Sequence, residues 1–530
     1  MSTHDQGLLL DDVYSSSDDS TLLEKELDTS ISTSSTRLTR LKRTFLRRID
    51  QNAFLETFVH YNLLLLRFLT PSFLHHLLNR RTHPSTDEEA PTPSPPNTIK
   101  CLDGLRGIAC LIVFNFHFLY PYTYTVIHGY GAEVANLEDR AKFLHYHQLP
   151  FISLLYRGRA MVHVFFAISG YVLSRKFLKL VGAGSHAQAY KALSSAVFRR
   201  GFRLFLPVTV GNLLVVIALR LGLYNGTAAV LRGEVGLPGD TGPRNWVSAM
   251  PEEHPRILGS AYAQLVDCYH QWARWINPWT WEIVYGDYDP HTWTIPLEFR
   301  SSMVLFLVLV GTAGLRGRWR LAVIVGLCGY CLRMVRWEVA IFLGGVVVAQ
   351  IDLMWGTFEV VPDRGLLVRT GQWVLFVAGL YLLASPDIWA EVTPGYRFLS
   401  SITPEGYAWG WLYLFWYPFG AVIVVHCVTN LVSLRRVFER PVCQYFGRIS
   451  FAFYLVHGPV LHALGFALMP RIWRVTGYGD GYGGNVGFVT GLALGWGVLL
   501  CFSVWLGDIF WRVVNVPCTK LTRQIECWLS

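Results

Sequence analysis

The chain has 530 residues, of which 52% are apolar, 14% aromatic and only 16% charged, with a net charge of +9; its mean hydropathy is +0.32. Soluble proteins carry roughly 25% charged residues, so this chain cannot hide its apolar surface in water, and collagen-like, disordered and disulfide-scaffold classes are excluded as well. What remains is an all-α polytopic membrane protein, in which basic charge sets topology and is not a nucleic-acid footprint.

Residues 1–52 are rich in Ser, Thr and Asp and read as a disordered tail without a cleavable signal. Residues 53–82 are apolar but interrupted by Glu56, His60, Arg67 and Pro71, which favours an interfacial amphipathic helix. A Pro-rich linker fills 83–99. From 100 to 515 the sequence reads as one membrane domain of about ten helices. The stretches are 106–127, 159–175, 202–222, 294–314, 319–334, 337–354, 371–386, 408–431, 447–468 and 486–513. Residues 516–530 form a C-terminal tail.

Basic residues concentrate in three connections on one side. Arg175, Lys176, Lys179, Lys191, Arg199, Arg200 and Arg203 lie in the first, Arg316, Arg318 and Arg320 in the second, and Arg435, Arg436, Arg440 and Arg448 in the third. That side, with both termini, is expected to be cytosolic. Arg333 and Arg336 break the pattern. The long 223–293 loop then faces the lumen or cell exterior and carries the sequon Asn225-Gly226-Thr227, so a glycoprotein is expected. Endomembrane and plasma membrane are both compatible. The ten cysteines fall mostly in apolar stretches, and Cys328 and Cys331 read as packing residues. No nucleotide-binding loop or metal-ligand motif is present, so no metal is expected.

The chemistry starts in the first span. Arg106 and His117 are eleven residues apart, which advances a helix by ~16 Å and returns it to within ~20° of the same face. Arg106 is placed at the cytosolic end and His117 near mid-membrane. A buried neutral imidazole there is a competent general base. Arg199, Arg200 and Arg203 share one helical edge at a cytosolic mouth, where guanidinium forks suit phosphates. Glu298 is an intramembrane carboxylate that needs a partner; it could orient an imidazole or hold an acceptor hydroxyl. His457 and His462 are five residues apart, which turns ~140° off one face and makes them a poor chelating pair. His254, His270 and His291 with Trp272, Trp275, Trp279, Trp281 and Trp293 could form an aromatic acceptor platform or an interfacial belt.

Five segments carry a resemblance. They are Leu102–Phe118, with Arg106 and His117; Phe165–Tyr171; Arg199–Pro207; Trp293–Phe299; and Phe446–His457. In this order they resemble the acyltransferase-3 family of membrane O-acyltransferases, across about 100–513, with wording closest to fungal members. The resemblance implies transfer of an acyl group, usually acetyl from acetyl-CoA, to a hydroxyl of a carbohydrate, lipid or secondary metabolite. Acyl-CoA is then a co-substrate and no cofactor is permanently bound. The expected catalytic residues are His117, Glu298 and Arg106. Arg199, Arg200, Arg203, Arg175, Ser169 and Tyr171 are expected to hold the donor, Ser169 or Tyr171 as oxyanion donors. His457 and Trp293 are expected to face the acceptor. A secondary transporter or flippase for an amphiphilic substrate is the alternative; it predicts an internal repeat, and none is visible.

Overall fold

The computed structural model describes residues 62, 68–72, 74, 99–132, 144–231, 252, 254–356, 365–407, 411–478 and 484–530. The tail, interfacial helix and linker expected over 1–99 lie outside the described residues except at a few positions. Residues from Pro71 onward form one compact unit. Its described residues are helical, with no strand among them.

The long helices in chain order are α1 (Lys100–Leu119), α2 (Gly158–Gly182), α3 (His186–Arg220), a short α4 (Asn225–Leu231), α5 (Ala261–Trp275), α6 (Thr294–Thr312), α7 (Gly317–Arg333), α8 (Trp337–Met354), α9 (Leu366–Leu383), α10 (Leu412–Asn430), a short α11 (Val432–Phe438) and α12 (Pro441–Val460). A π turn, Leu461–Gly465, joins α12 to α13 (Phe466–Val475), and a second, Trp511–Asn515, joins α14 (Gly484–Phe510) to α15 (Val516–Leu529). Among the described residues, each of the ten apolar stretches contains a helix. Among the described residues, eight helices or continuous helical runs are long and apolar enough to cross a membrane, and nine with the bent pair of Pro150–Tyr156 and α2. α7, 17 residues with three arginines, falls outside that set.

Two boundaries move. The basic connection expected over 174–203 is mostly helix, because α2 runs to Gly182 and α3 starts at His186 after a turn with Gly184 at φ +76°. At 35 residues α3 is ~52 Å long, more than the ~30 Å hydrocarbon core requires. Its arginine-bearing half therefore continues beyond the apolar segment. The C-terminal tail is likewise helical: α15 packs against α3, and Arg199 pairs with Glu526 at 3.0 Å.

α8 is the most enclosed helix, packed against α2, α7 and α10. Its crossing with α2 is set by Gly170 and Gly345. A Cβ on Gly170 would run into the Phe342 carbonyl, and one on Gly345 into the Ala167 carbonyl. Small residues let two membrane helices come this close. Gly170→Val should lower the melting temperature in detergent, because overpacking costs about 1–3 kcal/mol. An unchanged Tm would remove the crossing as a stability determinant. The other main seam joins α1 to α12, and α12 in turn packs on α14. All ten cysteines are free, Cys328 and Cys331 included.

Candidate functional site

α1 ends at Leu119, before Pro121, so it is shorter than the stretch read from sequence. His117 therefore lies in its last turn and not midway along it. α12 runs in the same sense beside α1 and brings His457 next to His117, their ring centroids 5.4 Å apart. His291 enters from the 3-10 turn that leads into α6; its ring is 4.0 Å from that of His117, edge to face. A Cβ on Gly458 would strike the His291 ring, so glycine is what allows this approach.

The carboxylate that organises these rings is Glu252, from the long loop. His117 Nδ1 lies 2.6 Å from Glu252 Oε1. His291 Nε2 and His462 Nε2 are each 3.0 Å from Glu252 Oε2. On its other side His291 Nδ1 is 3.0 Å from Asp289 Oδ1. His117 keeps 17% side-chain exposure, whereas His291 is almost fully enclosed. Burial alone would raise the Glu252 carboxyl, but the imidazoles of His117 and His291 hold it well below the ordinary carboxylate range.

His462 joins the cluster through Glu252 and not as a pair with His457. On a regular α-helix it points away from His457. The π turn closes its hydrogen bond from i to i+5, Phe466 N–H to the Leu461 carbonyl, and the wider circuit carries His462 round to Glu252. Pro459, which has no N–H to give, lies two residues before it. The Thr227 hydroxyl on α4 donates to the His462 carbonyl and pins the turn from outside.

Glu298 is one helix step away, seven residues or ~10 Å along α6 from His291. Its partner is Arg200, at 2.7 Å, with the Ser169 hydroxyl donating at 3.0 Å. Arg200 Nε also donates to Ser302 Oγ at 2.9 Å. The carboxylate in contact with His117 is Glu252, and among the described residues the Glu298 carboxylate meets Arg200 and Ser169. Nearer the basic end, Arg203 is exposed and lies in the combined field of Arg106, Arg199, Arg200 and Arg523. Arg106 pairs with Asp103 and Arg199 with Glu526. Three of the sequence-predicted cations are thus already paired with carboxylates.

Tyr171 turns elsewhere. It is two residues, ~200°, from Ser169 on α2, and its hydroxyl donates to Asp352 Oδ2 at 2.8 Å, while Asp352 Oδ1 accepts from Asn430. Its proton is therefore committed to a buried link between α2, α8 and α10. Arg175 is near enough to act on Tyr171. Trp293 lies tilted against Tyr285, 6.0 Å between centroids. The other tryptophans do not form one platform. Trp272 donates to Thr209, Trp275 to the Thr292 carbonyl, and Trp281 lies under Arg300 and Arg336. Between α2, α3 and α15 an open groove of about 740 Å³ is lined by Lys176, Gln188, Lys191, Phe198 and Glu526; none of the clustered imidazoles lines it.

The chain thus has a graded polar column, with cations at one end, a half-buried Arg–Glu pair within, and imidazoles with carboxylates at the other. Comparison with known proteins gives this column a family. A family model described as an acyltransferase domain matches residues 99–512. O-acetyltransferase PaAT-1 of Phomopsis amygdali is 29% identical over 491 residues, covering 86% of this chain and 88% of the relative. Acyltransferase R4 of a Phoma species is 26% identical over 468 residues, covering 82% and 97%. Acyltransferase clz18 of Cochliobolus lunatus is 25% identical over 475 residues, with the same coverages. No solved structure matches. The family match contains every helix that supplies the column, from Arg106 to His462, and on that span the chain belongs to the acyltransferase-3 family and is an acyltransferase.

Proposed function

We propose that the protein transfers an acyl group, acetyl being the first choice, from acyl-CoA to a hydroxyl of a carbohydrate, lipid or secondary metabolite, with His117 as general base. The observation that carries this is the 2.6 Å contact between His117 Nδ1 and Glu252 on the helix that bears Arg106. With Nδ1–H donated to the carboxylate, Nε2 keeps its lone pair, and the carboxylate stabilises the imidazolium that forms on proton uptake. His117 takes the acceptor's hydroxyl proton as that oxygen bonds to the thioester carbon. The carbon–sulfur bond then breaks, and the imidazolium returns the proton to the leaving thiolate.

The donor must be long and thin. The cationic end and His117 are ~16 Å apart along α1, so the anionic head stays among arginines while the thioester reaches the imidazole. A CoA thioester has that shape. Arg203, exposed among other cations, is the best-placed phosphate contact, and the adjoining lysine-lined groove suits the nucleotide end. Ser169 gives its proton to Glu298 in this structure, so an oxyanion role requires it to turn. PaAT-1 is named an O-acetyltransferase, which supports acetyl.

The test is transfer of label from radiolabelled acetyl-CoA by purified protein in detergent to a panel of hydroxyl acceptors. Arg203→Ala should raise the KM for donor roughly 10- to 100-fold with kcat nearly kept, since a charge-assisted contact contributes about 1.5–3 kcal/mol. No label transfer to any acceptor class, with no acetyl-CoA binding, would defeat the donor assignment.

A further inference from the structure

We infer that the imidazole cluster is a binding site for one divalent transition-metal ion of the zinc type, held by His291 Nε2, His462 Nε2 and Glu252 Oε2. The three groups come from the turn before α6, the π turn after α12 and the long loop. Their donor atoms lie within 4.8 Å of one another, with both nitrogens 3.0 Å from the same carboxylate oxygen. Two donors on a tetrahedral ion at the usual bond lengths are about 3.3 Å apart, so small movements would seat a metal. Two imidazoles and a carboxylate are a donor set that zinc accepts while keeping a position open.

The surroundings have the features of a ligand shell. His291 has its second nitrogen on Asp289, 3.0 Å away, the carboxylate–histidine arrangement that orients metal-binding imidazoles. The Thr227 hydroxyl fixes the backbone at His462. Glu252 retains Oε1 for His117, so an ion on Oε2 leaves the proposed base in place.

Charge accounting points the same way. Glu252 and Asp289 are carboxylates enclosed beside imidazoles, within 2.6–3.0 Å of their ring nitrogens. A divalent ion balances both carboxylates with every imidazole neutral, and uncompensated buried charge is costly. A separate observation concerns His457. Its Nδ1 donates to the Tyr454 carbonyl at 2.6 Å, and its buried Nε2 has no hydrogen-bond partner among the described residues. That nitrogen lone pair belongs to a ring 4.9 Å from His291 and 5.4 Å from His117, as an additional ligand or a contact to a metal-bound water would require.

The experiment measures metal content of full-length protein, purified in detergent through a tag without histidines, after chelator treatment and readdition of zinc alone. Wild type should hold about one equivalent, and cobalt in its place should give the visible absorption of a four- or five-coordinate site. His462→Ala and His291→Ala should lose the ion. His117→Ala, and His270→Ala at an exposed position, should keep it. Retention by His117→Ala separates this inference from the transfer reaction, since that variant has no proposed base. Folded wild type that takes up no zinc, or unchanged content in both ligand variants, overturns the site. Should the ligand variants aggregate, the wild-type zinc stoichiometry and cobalt spectrum decide it.

Discussion

His117→Ala should insert, remain monodisperse and lose acyl transfer, with kcat down about 10²- to 10⁴-fold, the usual contribution of a positioned general base. Glu252 is the reason to expect the upper part of that range. It fixes the ring through Nδ1 and is placed to stabilise the imidazolium, so the base is oriented before substrate arrives. Donor binding should survive, because Arg106 at the cationic end lies ~16 Å away along α1 and the arginine edge is on α3. The measurement is single-turnover transfer with labelled donor, beside equilibrium binding of the same donor. Wild-type turnover in the variant would remove His117 as the base and leave the other imidazoles to be tested.

Arg200→Met should lower stability by about 3–5 kcal/mol, because Glu298 would then be left as a half-buried carboxylate with only the Ser169 hydroxyl. Replacing both partners, Arg200→Met with Glu298→Leu, should recover much of that loss while abolishing whatever the pair does for catalysis. Thermal unfolding in detergent reads the first effect and donor KM the second. The outcome also decides between two roles for Arg200. If phosphate binding dominated, the single variant would raise donor KM with little change in Tm. The contacts to Glu298 and Ser302 favour the opposite pattern.

Motif reading found the helices that carry the column and most of the residues on them. Arg106 and His117 could be placed on one stripe because an α-helix has a fixed pitch, and the arginine edge of α3 follows from the same arithmetic. Partners across helices were a different matter. Nothing in the spacing of Glu298 says that α3 presents Arg200 to it, since that depends on how far two helices slide past each other. Glu252 gave no signal, because it reaches the cluster from a loop of mixed composition. His462 was turned away by the α-helical assumption, and only a π turn, whose nearest trace in the sequence is Pro459, returns it. The place of His117 along its helix differs for a simpler reason: apolar residues continue after Leu119, but Pro121 follows the last turn.

The anchoring of α4 has a consequence for when the chain can be modified. Thr227 is the third residue of the Asn225-Gly226-Thr227 sequon, and in the folded protein its hydroxyl is enclosed under the His462 carbonyl while Asn225 stays exposed. An oligosaccharide-transferring enzyme needs that hydroxyl free, so any sugar on Asn225 has to be attached before α4 closes on the π turn. Site occupancy there would act as a clock, recording how long the newly made segment waits before it docks.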